Sequence, residues 1–234
     1  DFITKWGSEG TSSGKFDWPL DVAIDSFGNV YVVDGNVVEG NNNRIQKFDN
    51  NGNFVCQWEI ESNFSPIIKS STIAIGGDDF IYVNNWSTIK KYDLNGNLLL
   101  QWGYEQSQEE EKIQFKGLTV DQTGNVFVGE SAFGQIILFS STGNLIRKWR
   151  SSYHISTEIG YSNDIAVDRK GNIFSVRDHQ ILKFSANFDF LVAWGIEGRG
   201  PGEFIAADSI DIDNNNDVYV LDLLGYCVQK FDND

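Results

Sequence analysis

Three stretches of the sequence hold residue types that can do chemistry. Arg177, Asp178 and His179 stand together, and with His154 and Glu130 they offer the nitrogen and oxygen donors of a metal site or an acid–base pair. "DIDNNND", Asp211 to Asp217, spaces side-chain oxygens at alternate positions as a calcium loop does, but lacks the glycine at the sixth place and the distal glutamate. "WGIEGRGPGEF", Trp194 to Phe204, carries glycines at 195, 198, 200 and 202, and such loops can cradle a phosphate on backbone N–H groups. Each has a plainer reading. Arg177 can pair with Glu130 or Asp222, "DIDNNND" can be a hairpin, and the glycines can be punctuation between structural units. The elements that position these residues decide between the readings.

Those elements repeat. "NVYVVD", "FIYVNN", "NVFVGE", "NIFSVR" and "DVYVLD" align on Tyr31, Tyr82, Phe127, Phe174 and Tyr219, at spacings of 51, 45, 47 and 45. Before each lies a short apolar stretch ("DVAID", "TIAIG", "GLTVD", "DIAVD", "SIDID"), joined through turns such as "SFGN" or "RKGN" that read as hairpins. After each come a third stretch ("RIQKFD", "CVQKFD") and a fourth ending in tryptophan ("NFVCQW", "NLLLQW", "NLIRKW", "DFLVAW"). Four β-branched and aromatic strands in about 40–50 residues form a propeller blade. The fifth unit has no fourth strand of its own, and "DFITKW" at the other end supplies one. The 15 residues after Tyr219 and the 31 up to Tyr31 give a wrapped spacing of 46, in register with the rest. The expectation is one all-β domain over 1–234: a β-propeller of five four-stranded antiparallel blades, closed by the N-terminal strand joining the last blade. Five repeats of a six-bladed ring is the alternative.

Composition narrows the partners. With 18 basic against 33 acidic residues the net charge is −15, which argues against a nucleic-acid surface. No long apolar span suits a membrane helix. Cys56 and Cys227 are too few for a disulfide framework and read as free, half-buried thiols. A chain that starts at Asp1 and contains no Met leaves the compartment open.

The last linker and blade, read on into the first blade, give W-G-x-x-G-x-G-P-G-E-F, then I-D-x-x-x-x-V-Y-V-x-D, then N-R-I-Q-K-F-D-x-x-G. This pattern resembles the NHL repeat family of β-propellers over essentially the whole chain. Family members most often have six blades, so five repeats depart from the pattern, and blades two to four diverge at the third strand. The resemblance implies a binding scaffold in many members and a lyase or hydrolase in some related propellers.

Two polar columns follow from the alignment. One ends the second strand (Asp34, Asn85, Glu130, Arg177, Asp222), and the other opens the first strand (Asp21, Thr72, Gly117, Asp164, Ser209). Either they ring a ligand site or their aspartates hydrogen-bond turn amides. Trp18, Trp86 and Phe133, with Val37 and Val38, make a candidate apolar patch on the same loop-rich face. Glu109–Glu111 is an acidic loop able to recruit a basic partner. The strand tryptophans 6, 58, 102, 149 and 194 are too regular for a site and are expected to pack between blades. No nucleophile elbow, Walker loop or HExxH is present.

The function expected is a non-enzymatic binding module without cofactor, monomeric if the ring closes. It would take a protein, peptide or small ligand on Trp18, Asp34, Trp86, Glu130, Phe133, Arg177, His179 and Asp222. A metal-assisted lyase or hydrolase over the central channel is the alternative, and an excised or engineered array without function of its own is the third. "WGSEGTSSGKF", Trp6 to Phe16, matches "WGIEGRGPGEF" in length and in glycines at the second and fifth places, so both loops are expected to be joints between blades.

Overall fold

The computed structural model describes residues 2–35, 43–60, 71–103, 114–130, 134–150 and 162–232. The described residues are all-β and contain no helix. The chain divides into two compact units, residues 1–103 and 104–234.

The first unit contains two blades. One has β1 (Pro19–Ile24), β2 (Val30–Asp34), β3 (Arg44–Phe48) and β4 (Phe54–Glu59); the other has β5 (Ile73–Ile75), β6 (Ile81–Asn85), β7 (Thr88–Tyr92) and β8 (Leu98–Gly103). The second unit contains three. Its strands are β9 (Phe115–Val120), β10 (Val126–Glu130), β11 (Gln135–Phe139) and β12 (Leu145–Arg150), then β13 (Ser162–Val167), β14 (Ile173–Arg177), β15 (Gln180–Phe184) and β16 (Phe190–Trp194). After the short pair β17 (Ile196–Glu197) and β18 (Glu203–Phe204), the last sheet is β19 (Ala207–Ile212), β20 (Val218–Asp222) and β21 (Cys227–Phe231). Every blade is antiparallel with sequential neighbours, as expected of five propeller blades.

One device makes most of the hairpins. In the turn from Asp25 to Asn29 the aspartate accepts hydrogen bonds from the amides of Phe27 and Asn29 and from the Asn29 side chain, while Gly28 N–H closes the turn onto the Asp25 carbonyl. Asp49, Asp93, Asp121 and Asp168 make the same bonds, and Ser140 and Ser185 use a hydroxyl in that place. "DIDNNND" is another copy, with Asp213 accepting the Asn215 and Asp217 amides, so its carboxylate is used in a turn.

These turns give the fold an acid limit. Burial pushes the Asp25 carboxyl up, but hydrogen bonds from Asn29, Tyr31 and the Phe27 amide outweigh it and hold the group below its ordinary value of 3.8. At Asp93 and Asp213 burial is likewise outweighed, by Asn97 and by the Asp217 amide respectively, and at Asp49 the Asn53 side chain leads. A carboxyl depressed by folding stabilises the fold above its unfolded value, and that contribution is lost as pH falls through the depressed folded value. The melting temperature is therefore expected to stay level from pH 7 to about 5 and to fall below about 4. Thermal melts across that range check it, and a decline beginning above pH 5 would assign the acid sensitivity to other groups.

The cores lie between successive sheets, whose facing side chains interlock. In the first unit Tyr31, Val33 and Ile45 meet Ile73, Ile81 and Tyr92. In the second, Phe127 and Ile136 meet Ile165, Phe184 and Phe188, while Phe174, Val176 and Ile181 meet Phe204, Ile210 and Val220. Tryptophans join the layers as expected: Trp58 against Tyr92, Trp149 against Phe184 with ring centroids 4.4 Å apart, and Trp194 against Phe231. A lysine opposite the central aromatic covers its ring in four blades: Lys47 over Tyr31, Lys91 over Tyr82, Lys183 over Phe174 and Lys230 over Tyr219. Cys56 is half-buried and Cys227 exposed, both free, where two half-buried thiols were expected.

The last sheet has three strands, and residues 2–8 form none. Trp6 nevertheless lies over Gly52 and Phe48 as Trp58 lies over Gly96 and Tyr92, so the tryptophan keeps a fourth-strand position while Phe2 and Ile3 are exposed. The fourth strands that form are each tied to a third strand by an Asp- or Ser-led hairpin.

Candidate functional site

The glycine loops resolve first, because they hold the loop ends of β2 and β20. In the first unit Glu9 pairs with Phe16 in parallel, and Gly10 N–H donates to the Phe16 carbonyl. In the second, Ile196 and Glu197 pair in parallel with Glu203 and Phe204, and Gly198 N–H donates to the Phe204 carbonyl. Gly7 and Gly195 have φ of 86° and 95°, and a Cβ on either would strike the phenylalanine that ends its loop. The loops are joints of one design.

Each joint is clamped by side chains from its own blade. Asp34, fully buried at the end of β2, accepts the amides of Asp17 and Trp18 at 2.9 and 3.0 Å. Gln46 accepts the Gly14 amide and donates to the Lys15 carbonyl. Asp222 accepts the amides of Ile205, Ala206 and Gly225, while Gln229 accepts the Gly202 amide and donates to the Glu203 carbonyl. Burial pushes the Asp222 carboxyl up, but those backbone donors and nearby Arg199 hold it low. The loop amides that a phosphate would need at Gly14 and Gly202 are thus spent on glutamine side chains.

Blade one adds a charge. Arg44 is buried, donates through Nε and Nη2 to Asp34 Oδ2 at 3.1 and 2.9 Å, and reaches the carbonyls of Thr11 and Lys15. The last blade has Cys227 in that register position, opposite Asp222. The first-strand column acts between blades. Asp21 Oδ2 accepts the Ile73 amide, and Asp164 Oδ2 accepts the Ile210 amide and the Ser209 hydroxyl. The aspartates bond backbone amides as the plainer reading held, but chiefly those of joints and of the next blade's inner strand.

The other expected site residues are distributed as follows. Trp18 is exposed beside Asp34, its carbonyl accepting the Gly35 amide. Trp86 is half-buried in the β6–β7 turn with φ of 60°, a left-handed conformation unfavourable for an aromatic residue. Glu130 is buried at the end of β10, opposite Phe115 and Gln135. Arg177 is half-buried at the end of β14, opposite Gln180. His179 Nδ1 lies 3.0 Å from the Phe204 carbonyl oxygen and the Ala207 amide donates to the Asp178 carbonyl, so the β14–β15 turn is joined to the loop that Asp222 holds. The structure therefore brings His179 and Asp222 into one hydrogen-bonded assembly with Arg177 beside it. Phe133, His154, Val37, Val38 and Glu109–Glu111 lie outside the described residues. Among the described residues, no group of three His, Cys, Asp or Glu is placed to hold a metal ion.

That assembly displays side chains the alignment passed over. The β20–β21 turn, Leu223-Leu224-Gly225-Tyr226, is fixed by the Leu223 amide on the Ala206 carbonyl and the Gly225 amide on Asp222. It nonetheless exposes Leu223 and Leu224 by about half and Tyr226 by 85%. The signal is the apolar turn "LLGY" after Asp222, two residues longer than the aligned "WS" after Asn85 in blade two.

No family model and no curated protein sequence matches the chain. Solved structures do. Virginiamycin B lyase from Staphylococcus aureus is similar at a TM-score of 0.67 and 12% identity, over 92% of this chain and 70% of that one. A protein from the nidogen/laminin complex gives 0.64 and 14%, over 92% and 75%. A protein of unknown function from Bacteroides thetaiotaomicron gives 0.68 and 16%, over 97% and 60%. At these identities the likeness establishes the fold, a β-propeller.

Proposed function

We propose that the chain is a non-enzymatic binding module of NHL-repeat type, which engages a protein or peptide through the loop ends of its blades. The observation that carries this reading is the turn Leu223–Tyr226, an apolar surface held in place by backbone hydrogen bonds instead of being buried. Exposed apolar groups on a rigid support are what a partner desolvates most productively. Asp34 and Asp222 then serve as the joint's structural members, and Arg177 and His179 border the surface.

Replacing Leu223, Leu224 and Tyr226 together by serine is expected to weaken the partner by at least about tenfold, with melting unchanged. Affinity of the triple variant, read beside its thermal melt, checks this; unchanged affinity would reject the surface. The lyase reading draws on the likeness to virginiamycin B lyase and on His179, whose Nδ1 is engaged while Nε2 is its second nitrogen. Elemental analysis of the purified protein tests that reading, which requires a stoichiometric divalent ion.

A further inference from the structure

We infer that the partner is basic: a segment whose apolar side chains cover Leu223, Leu224 and Tyr226 and whose flanking lysines or arginines meet a carboxylate rim. The inference rests on the binding reading above and adds the chemistry of the partner. Asp178, whose carbonyl accepts the Ala207 amide, and Asp208, next to Ala207 opposite Asp222, are exposed, as is Glu197 in the joint, paired with Phe204. The cations on the same elements are Arg199, exposed and acting on the Asp222 carboxylate, and half-buried Arg177. Asp178 is at the tip of the β14–β15 turn and Asp208 is the second residue of β19, so they border the assembly from two elements. Behind this local excess stands the net charge of −15.

An apolar centre inside a charged rim divides the work of recognition. The desolvated leucines and tyrosine slow dissociation, while the rim and the field of the whole protein speed the approach of a cation and oppose an anion. An acidic segment of equal apolar content would bring like charges against the rim as it docked. Selectivity between the two is therefore expected to be electrostatic and sensitive to salt.

The test uses two short acetylated and amidated peptides that share leucine–phenylalanine pairs, one with flanking lysines and the other with glutamate at each lysine position. Binding is followed by fluorescence anisotropy and by the backbone amide resonances of residues 223–227 in the whole chain. The lysine peptide is expected to shift those resonances, to bind at least about tenfold tighter than the glutamate peptide at low salt, and to lose most of that margin at high salt. Asp178→Asn with Asp208→Asn should narrow the margin without altering the melt, since asparagine tolerates the left-handed backbone at 178.

Equal binding of both peptides at the turn would overturn the basic-partner inference and leave the binding-module reading standing. Tighter binding of the glutamate peptide would also overturn it, assigning selection to Arg177 and Arg199. Lysine-peptide binding that leaves residues 223–227 unshifted, or that survives serine at 223, 224 and 226, would be non-specific charge attraction and would overturn the inference. If neither peptide bound, the inference would fall, and a native partner still lost on the triple serine substitution would keep the binding reading.

Discussion

Asp34→Ala is expected to destabilise the first unit by about 3–5 kcal/mol, the cost of removing one partner from a buried ion pair. Asp34 and Arg44 are both buried, and their contact is 2.9 Å. Without the carboxylate, the guanidinium keeps its carbonyl acceptors on the joint but loses its counter-charge, and the amides of Asp17 and Trp18 lose their acceptor. For a chain of this size the melting temperature should drop on the order of 10 °C. Asp34→Ala combined with Arg44→Met removes both charges and should recover part of the loss.

Asp222→Ala in the last blade is the internal control. It frees three backbone amides, all on half-buried residues that water can reach, and with Cys227 in the register position of Arg44 it strands no directly paired guanidinium, so its cost should fall below that of Asp34→Ala. Denaturant unfolding of the single and double variants separates these cases. A cost below about 1 kcal/mol for Asp34→Ala would mean that the joint is held by its backbone alone.

The same residues explain how far the sequence could be read. Hairpins were legible because an aspartate four residues before an asparagine, with glycine between, closes a turn within itself. The inter-blade tryptophans were legible because packing between repeats demands one size at one interval. Asp34 and Asp222 were visible as a column, but a column of aspartates looks the same whether it faces a ligand or a backbone amide. Their partners are 16 and 17 residues away in sequence, and only folding shows the carboxylates occupied. The Leu223–Tyr226 surface is invisible in positions shared by all repeats, because this turn is particular to one blade.

Gly117→Ala is expected to cost the second unit about 3 kcal/mol, although it adds one methyl group to a strand. A Cβ at Gly117 would stand 2.5 Å from Asp164 Oδ1, 2.6 Å from the Ile165 nitrogen and 2.7 Å from Asp164 Cα. Two of these atoms are backbone, so no side-chain rotation relieves the contact, and β9 and β13 must part. Overpacking of that kind costs about 1–3 kcal/mol by itself. Here it also disturbs Asp164, whose Oδ1 accepts the Ile165 amide and whose Oδ2 accepts the Ser209 hydroxyl and the Ile210 amide of the next blade. Hydrogen bonds to a charged acceptor are each worth about 1.5–3 kcal/mol, so weakening one accounts for the remainder. The effect should cross two blade boundaries: amide exchange at Ile210 should accelerate together with that at Ile165, while the first unit keeps its protection. Residue-resolved hydrogen exchange on the variant decides it. Protection at Ile210 equal to that of the original chain would show that β9 and β13 separate without disturbing the staple. The inner strands would then be independent layers, not a series linked through their aspartates.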